Sequence, residues 1–176
     1  MTVHGLLLAA GAGRRYGGPK ALVDGWLSHA LDALAEGGCP ERTVVLGAEA
    51  ETVRGLVPAG VRIVVAYDWD EGMGASLRAG LGQVPAVDAV LVHLVDLPDV
   101  GVEVVRRVLA TGQGPGALAR ATYAGVPGHP VLLGRDHWPG VLSSATGDRG
   151  ARAYLAGHDV TLVECGDLAT GRDVDR

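Results

Sequence analysis

The chain contains no phenylalanine, and aromatic residues of all kinds make up 4% of its 176 residues. Its core must therefore be built from Val, Leu and Ala, a composition that suits a parallel sheet covered by helices. Cysteine is scarce as well. Cys39 and Cys165 stand in no metal-binding spacing and are too few for a disulfide scaffold, so a reducing, cytoplasmic setting is expected. Positive charge is not in excess: 15 Lys and Arg against 20 Asp and Glu give a formal net charge of −5, which argues against a nonspecific nucleic-acid surface. No apolar run reaches the roughly 18 residues of a membrane span, and the first residues lack the basic start, apolar stretch and cleavage site of an export signal. Neither nucleic acid nor membrane is an expected partner.

What is present is an alternation of apolar strands and amphipathic helices, with no linker, low-complexity tract or repeat to divide it. A single domain over 1–176 is expected. Strands are predicted at Val3–Ala9, Thr43–Leu46, Val61–Ala66 and Asp88–Val95. Between them the apolar residues keep helical spacing at Leu27, Leu31 and Leu34, at Val53, Leu56 and Val57, and at Leu77, Leu81 and Val84. A helix through Val102, Val105 and Leu109, with an N-cap at Asp99, leads to a strand at Ala117–Thr122. The pattern then changes: a short strand at Pro130–Leu133, a helix face at Ala151, Tyr154 and Leu155 and a last strand at Val160–Val163 predict antiparallel additions in the C-terminal third. The expected fold is three-layered α/β.

The densest stretch is Leu8-Ala9-Ala10-Gly11-Ala12-Gly13-Arg14-Arg15-Tyr16-Gly17-Gly18-Pro19-Lys20. A buried strand runs into small residues that let the backbone turn with its N–H groups exposed, forming a concave nest of donors. Arg15 and Lys20 add a planar guanidinium and a point charge, a combination suited to a polyphosphate. Two familiar nucleotide loops are excluded by spacing. Pro19 separates Gly18 from Lys20 and Ala21 stands where a P-loop has Ser or Thr; Tyr16 takes the third glycine position of the dinucleotide fingerprint, although Glu49 lies where a ribose-binding acid would.

The remaining pattern, L-A-A-G-x-G-x-R-x-G-x-P-K, is complete from Leu8 to Lys20 and resembles the opening of the MobA-like NTP transferases. These nucleotidyltransferases activate sugar phosphates, sugar acids and molybdopterin. The resemblance implies a Rossmann-like nucleotidyltransferase fold with a mostly parallel sheet. E-G-M-x-x-S-L-R-x-G-L (Glu71 to Leu81), G-x-P-x-H-P-V (Gly125 to Val131) and G-D-x-G-A-R (Gly147 to Arg152) bring it nearest to molybdenum cofactor cytidylyltransferases.

In an open α/β sheet the chemistry sits beyond the carboxyl ends of the strands, so these loops supply the candidates. Leu8 to Arg15, with Lys20, Gly72, Ser76 and Asp96, are expected to contact nucleotide; Gly72 and Gly74 would let a planar base lie on backbone, and Ser76 is either a pocket wall or a helix N-cap. Asp96 ends a strongly apolar strand and must find a cation or a helix to cap. The resemblance makes it a ligand for Mg²⁺ and assigns Arg15, Lys20 and Asp96 to catalysis. A hard dication takes one or two carboxylates, and Asp173 matches the family's closing D-x-D-T-P, which this chain departs from by stopping at Arg176. Asp175 is the weaker candidate on the same tail.

His129, Asp148, Arg149 and Arg152 are implied acceptor contacts, although Asp148 would equally serve as the N-cap of the last helix. Arg149 and Arg152, three apart on that helix, would face one anion. His93 reads as a satisfied core histidine, and His4, His137 and His158 have no partners at recognisable spacing. The implied activity is transfer of a nucleoside monophosphate from an NTP, CTP by resemblance, to the phosphate of a molybdopterin-type cofactor. Alternatives are guanylyl transfer, transfer to a sugar or small-acid phosphate, and a non-catalytic accessory that delivers cofactor to a molybdoenzyme client, the last favoured by the short C-terminus.

Overall fold

All seven residues of β1 (Val3–Ala9) are buried, because this strand lies between parallel neighbours and is covered on both faces. The neighbours are β2 (Arg42–Leu46) and β4 (Ala89–Leu94), with β3 (Arg62–Val65) completing a four-stranded parallel half. The computed structural model describes residues 1–175. Beyond β4 the sheet continues through β6 (Val126–Gly134), β5 (Leu118–Tyr123) and β7 (Thr161–Glu164), in the order β3-β2-β1-β4-β6-β5-β7. Only β6 runs against the rest: it pairs antiparallel with β4 and β5, while β7 is parallel to β5.

The reversal is local in origin. Two residues, Ala124 and Gly125, join β5 to β6, and both have left-handed φ (51° and 80°), the conformation of a tight hairpin turn. A left-handed alanine is strained, and here Glu164 offsets the cost by accepting the N–H groups of Ala124 and Gly125 at 3.1 and 2.8 Å. Because the turn starts pairing at once, β6 begins at Val126, four residues earlier than the predicted strand.

Helices cover both faces. Helices α1 (Trp26–Gly37), α2 (Ala50–Arg54) and α4 (Val102–Leu109) pack Leu31, Val53 and Val105 on one side, while α3 (Met73–Leu81), α5 (Trp138–Ser144) and α6 (Arg152–Ala156) pack Leu77, Val141 and Leu155 on the other. α2 ends before Leu56 and Val57. α4 starts after Gly101, and Asp99 does not cap it; its carboxylate accepts the N–H and hydroxyl of Thr170 at 2.7 and 2.6 Å instead. Among the described residues no helix is long and apolar enough to cross a membrane.

Candidate active site

The carboxyl ends of β1 and β4 open onto a cavity of about 510 Å³. Its floor is the loop after β1, which closes on itself because the Gly13 carbonyl accepts the N–H groups of Tyr16, Gly17 and Gly18 at 3.0, 2.8 and 3.1 Å. Gly13 has φ 59°, and a Cβ there would collide with the Gly18 carbonyl, so only glycine closes this loop. The amides of Gly11, Ala12, Gly13, Arg14 and Arg15 meanwhile donate to no acceptor among the described residues. They are a set of unspent donors lining the cavity, as the sequence predicts.

Lys20 faces this loop with its side chain 13% exposed. Its ammonium donates to Asp96 Oδ2 at 2.8 Å and to Asp175 Oδ1 at 3.0 Å. Desolvation works to lower the lysine pKa, but the two carboxylates outweigh it and hold the group above the ordinary lysine value. The hydrogen bond and charge of Lys20 in turn keep the Asp175 carboxyl below its usual range. Asp96 therefore meets a cation and caps no helix.

The C-terminal segment is fastened at this point by Val174 N–H donating to the Asp96 carbonyl at 3.1 Å. It thereby brings Asp173 and Asp175 to Asp96, with one ligand atom from each lying within 4.8 Å of the others. Three hard oxygen donors at this separation fit a divalent cation. Asp175, the weaker candidate in the sequence, thus joins Asp96 in holding Lys20.

The loop between β3 and α3 departs in part from expectation. Gly72 lines the cavity but Gly74 does not, and both are pressed from the side where a Cβ would stand: on Gly72 it would lie 2.6 Å from Gly147 backbone and Asp148 Oδ1, and on Gly74 2.7 Å from Thr146 N. Their small size admits the turn that carries Asp148. Ser76 is the fourth residue of α3, whose flanking residue is Gly72, so it is no N-cap; it is buried and lines the cavity with Gly72. Trp69 and Tyr16 add aromatic walls that the sequence reading missed, although one of only three tryptophans in a strand-to-helix loop was a usable sign. Glu49 lines a separate depression at the end of β2.

Asp148 also lines the main cavity. It caps nothing, since α6 is flanked by Ala151 without a side-chain cap. Arg149 and Arg152 do not share a helix: Arg149 ends a short 3-10 turn, and Gly150, at φ 54°, separates it from α6. Both nevertheless line a second cavity of about 90 Å³ with His129 and with Arg120, which the sequence reading did not select. Desolvation, then His93, Arg120 and Arg152, push the His129 pKa down to about 3. His93 is buried but unsatisfied, neither ring nitrogen having a partner among the described residues; burial, with a smaller push from His29, lowers its pKa to about 4. His4 is bonded to Thr43 Oγ1 at 2.8 Å, and His137 and His158 both meet Tyr154.

The chain is 40% identical over 190 residues to the nicotine blue oxidoreductase of Paenarthrobacter nicotinovorans, covering 98% of this chain and 92% of that protein. Rv0371c of Mycobacterium tuberculosis H37Rv superimposes with a TM-score of 0.83 at 29% identity, over 99% of this chain and 93% of that one. A structure of Rv0371c in complex with manganese gives 0.80 at 27% identity, over 99% and 94%. A nucleotidyl transferase from Methanothermobacter, 23% identical with a TM-score of 0.79 over 93% and 87%, shares the fold. The profile of the MobA-like NTP transferase domain matches residues 5–162, from within β1 to within β7, and the chain belongs to that family.

Proposed function

We propose that this protein is a divalent-metal-dependent nucleotidyltransferase that moves a nucleoside monophosphate from an NTP, CTP in our reading, to the phosphate of a molybdopterin-type acceptor. The observation that carries the reading is the meeting, in one cavity, of five unspent loop amides with the Lys20, Asp96, Asp173 and Asp175 cluster. An acceptor phosphate oxygen forms the new bond to the α-phosphorus, the α–β P–O bond breaks, and its electron pair leaves on pyrophosphate. A phosphate is already nucleophilic near pH 7, so positioning and charge neutralisation suffice and no general base is needed.

The loop amides with Arg15 would hold the β- and γ-phosphates and stabilise the leaving group. Lys20 would follow charge from its carboxylates to the α-phosphate. Asp96, Asp173 and Asp175 would hold Mg²⁺ or Mn²⁺, which when bound supplies Lewis-acid polarisation of the α-phosphate. His129, Asp148, Arg149 and Arg152 would contact the acceptor.

A second reading is favoured by the 40% identity to nicotine blue oxidoreductase: the same cavity would serve a redox nucleotide. One experiment separates them. Pyrophosphate release is measured with each of the four triphosphates, Mg²⁺ or Mn²⁺ and molybdopterin-type cofactor, beside oxidation of a reduced nicotinamide dinucleotide by nicotine blue. Acceptor-dependent pyrophosphate release with CTP supports the transferase; dinucleotide oxidation without pyrophosphate release replaces it with the redox reading. Preference for GTP would move the assignment to guanylyl transfer.

A further inference from the structure

Arg120 sits at the middle of β5, opposite Val131 of β6 and between the buried Ala119 and Ala121. A guanidinium in such a place is costly unless its charge is answered. Here the partner found among the described residues is neutral: Nε and Nη2 both donate to the Gly128 carbonyl, at 3.2 and 3.1 Å, which leaves Nη1 unspent. No carboxylate lies within ion-pairing distance of Arg120, Arg149 or Arg152 among the described residues. Desolvation and the neighbouring Arg152 both weaken the Arg120 proton's hold, so the site accumulates positive charge at an energetic cost.

These cations converge on a space of definite size and place. The 90 Å³ cavity has apolar walls from Leu8, Val92, Val131 and Leu133, and it meets the larger cavity along Leu8, Met73 and Asp148. None of Asp96, Asp173 and Asp175 lines it. Nucleosides and pterins need pockets of several hundred Å³, so the space suits one compact oxyanion, and planar guanidinium forks recognise such groups by paired hydrogen bonds.

We propose that Arg120, together with His129 and Arg152, holds a second, non-reacting oxyanion of the acceptor, so that the substrate presents one phosphate to the Asp96 cluster and a further phosphate or carboxylate to this cavity. The proposal rests on the transferase reading for the word acceptor, but the anion site itself is testable without it. Arg120 is then a specificity-determining residue: it selects acceptors bearing two anionic groups at the separation of the two cavities.

The test uses the full chain carrying Arg15→Met and Lys20→Met, which silences the loop cations, and titrates inorganic phosphate and, separately, acetate by calorimetry. One phosphate or acetate per chain is expected, with affinity falling at least tenfold on adding Arg120→Met. Arg152→Met, on the exposed surface of α6, should lower it in the same direction without loss of fold. Stronger binding of phosphate or of acetate names the group. Absence of binding in the folded double variant overturns the proposal, as does unchanged affinity after Arg120→Met, the result expected if Arg120 only tethers the Gly128 carbonyl. Binding of each of the four triphosphates is measured in parallel; Arg120→Met should match wild type, and absence of binding to wild type by all four would fail the transferase reading while leaving the anion result standing.

Discussion

The loop after β1 and the wall built by β5, β6 and α6 present positive charge in opposite ways. In the loop, Lys20 is already neutralised by Asp96 and Asp175, and what remains unspent is the guanidinium of Arg15 with backbone amides within five consecutive residues. In the wall, the cations Arg120 and Arg152 come from separate elements beside the neutral His129, and a carbonyl alone answers Arg120 among the described residues. In the proposed function the first region would hold the polyphosphate that every nucleoside triphosphate carries. The second would be selective, because a ligand with the matching anion would remove the cost of its unpaired charge. Substrate choice would then belong to the reversed strand and its neighbours.

The largest test of that division is Asp96→Asn. It removes one of the three negative charges of the carboxylate cluster but keeps the side chain's size, so turnover should fall on the order of a hundredfold or more, with melting temperature and phosphate binding at Arg120 nearly unchanged. Equal losses in both regions would show that they are not independent.

The seam between the regions is β4, which pairs with β1 on one edge and β6 on the other and carries the buried His93. Its folded pKa is depressed to about 4 from 6.5, so below pH 6.5 the unfolded chain takes up a proton that the folded chain refuses. Stability should be full above pH 6.5 and decline as pH falls, levelling near pH 4, with a loss on the order of 3 kcal/mol from this group. Denaturant midpoints at pH 7 and pH 4.5 measure it, and His93→Leu should flatten the slope; an unchanged slope would place the acid sensitivity elsewhere.

Gly74→Ala attacks the contact between the regions. A methyl 2.7 Å from Thr146 N must push the 146–148 turn away from α3. A cost of about 1–3 kcal/mol is expected, visible in thermal melts, and acceptor binding should weaken more than CTP binding because Asp148 rides on that turn. The smallest expected effect is Asp175→Asn. Manganese affinity by titration should fall roughly tenfold as one ligand charge is lost, with the melting temperature unmoved; unchanged affinity would remove Asp175 from the metal site.

Much of the parallel half was legible because its signals are short-range. Continuous apolar runs mark strands covered on both faces, and a contiguous run from Leu8 to Lys20 marks the cradle, since backbone donors need only a local turn. Asp96 was legible for the same reason: a carboxylate ending an apolar strand must find a partner. Misread positions depended on distant neighbours. Gly74 looked like part of an opening for a base because nothing local says that residues 146–148 press against it, whereas Gly72 does line the cavity. Asp99 looked like a cap because capping is the commonest local use of aspartate, yet it is taken by Thr170; for Asp148 the sequence left a cap and a substrate contact equally open, and the fold sets it on the cavity wall. Arg120 carried an available sign, a lone cation in a buried strand, which was passed over.

The sequence by itself determined the three-layered α/β class, the glycine-rich loop after the first strand, the family, and Asp96 and Asp173 as candidate metal ligands. These follow from residue periodicity and from groups adjacent in the chain, whose geometry is set by φ, ψ and steric size. Only the tertiary structure decided that Asp175 reaches Lys20, that His93 is left without a partner and that Arg120 joins Arg152 across a second cavity. Those outcomes turn on which side chains meet after β6 reverses and the C-terminal segment returns to Asp96, and such meetings are set by packing the whole sheet.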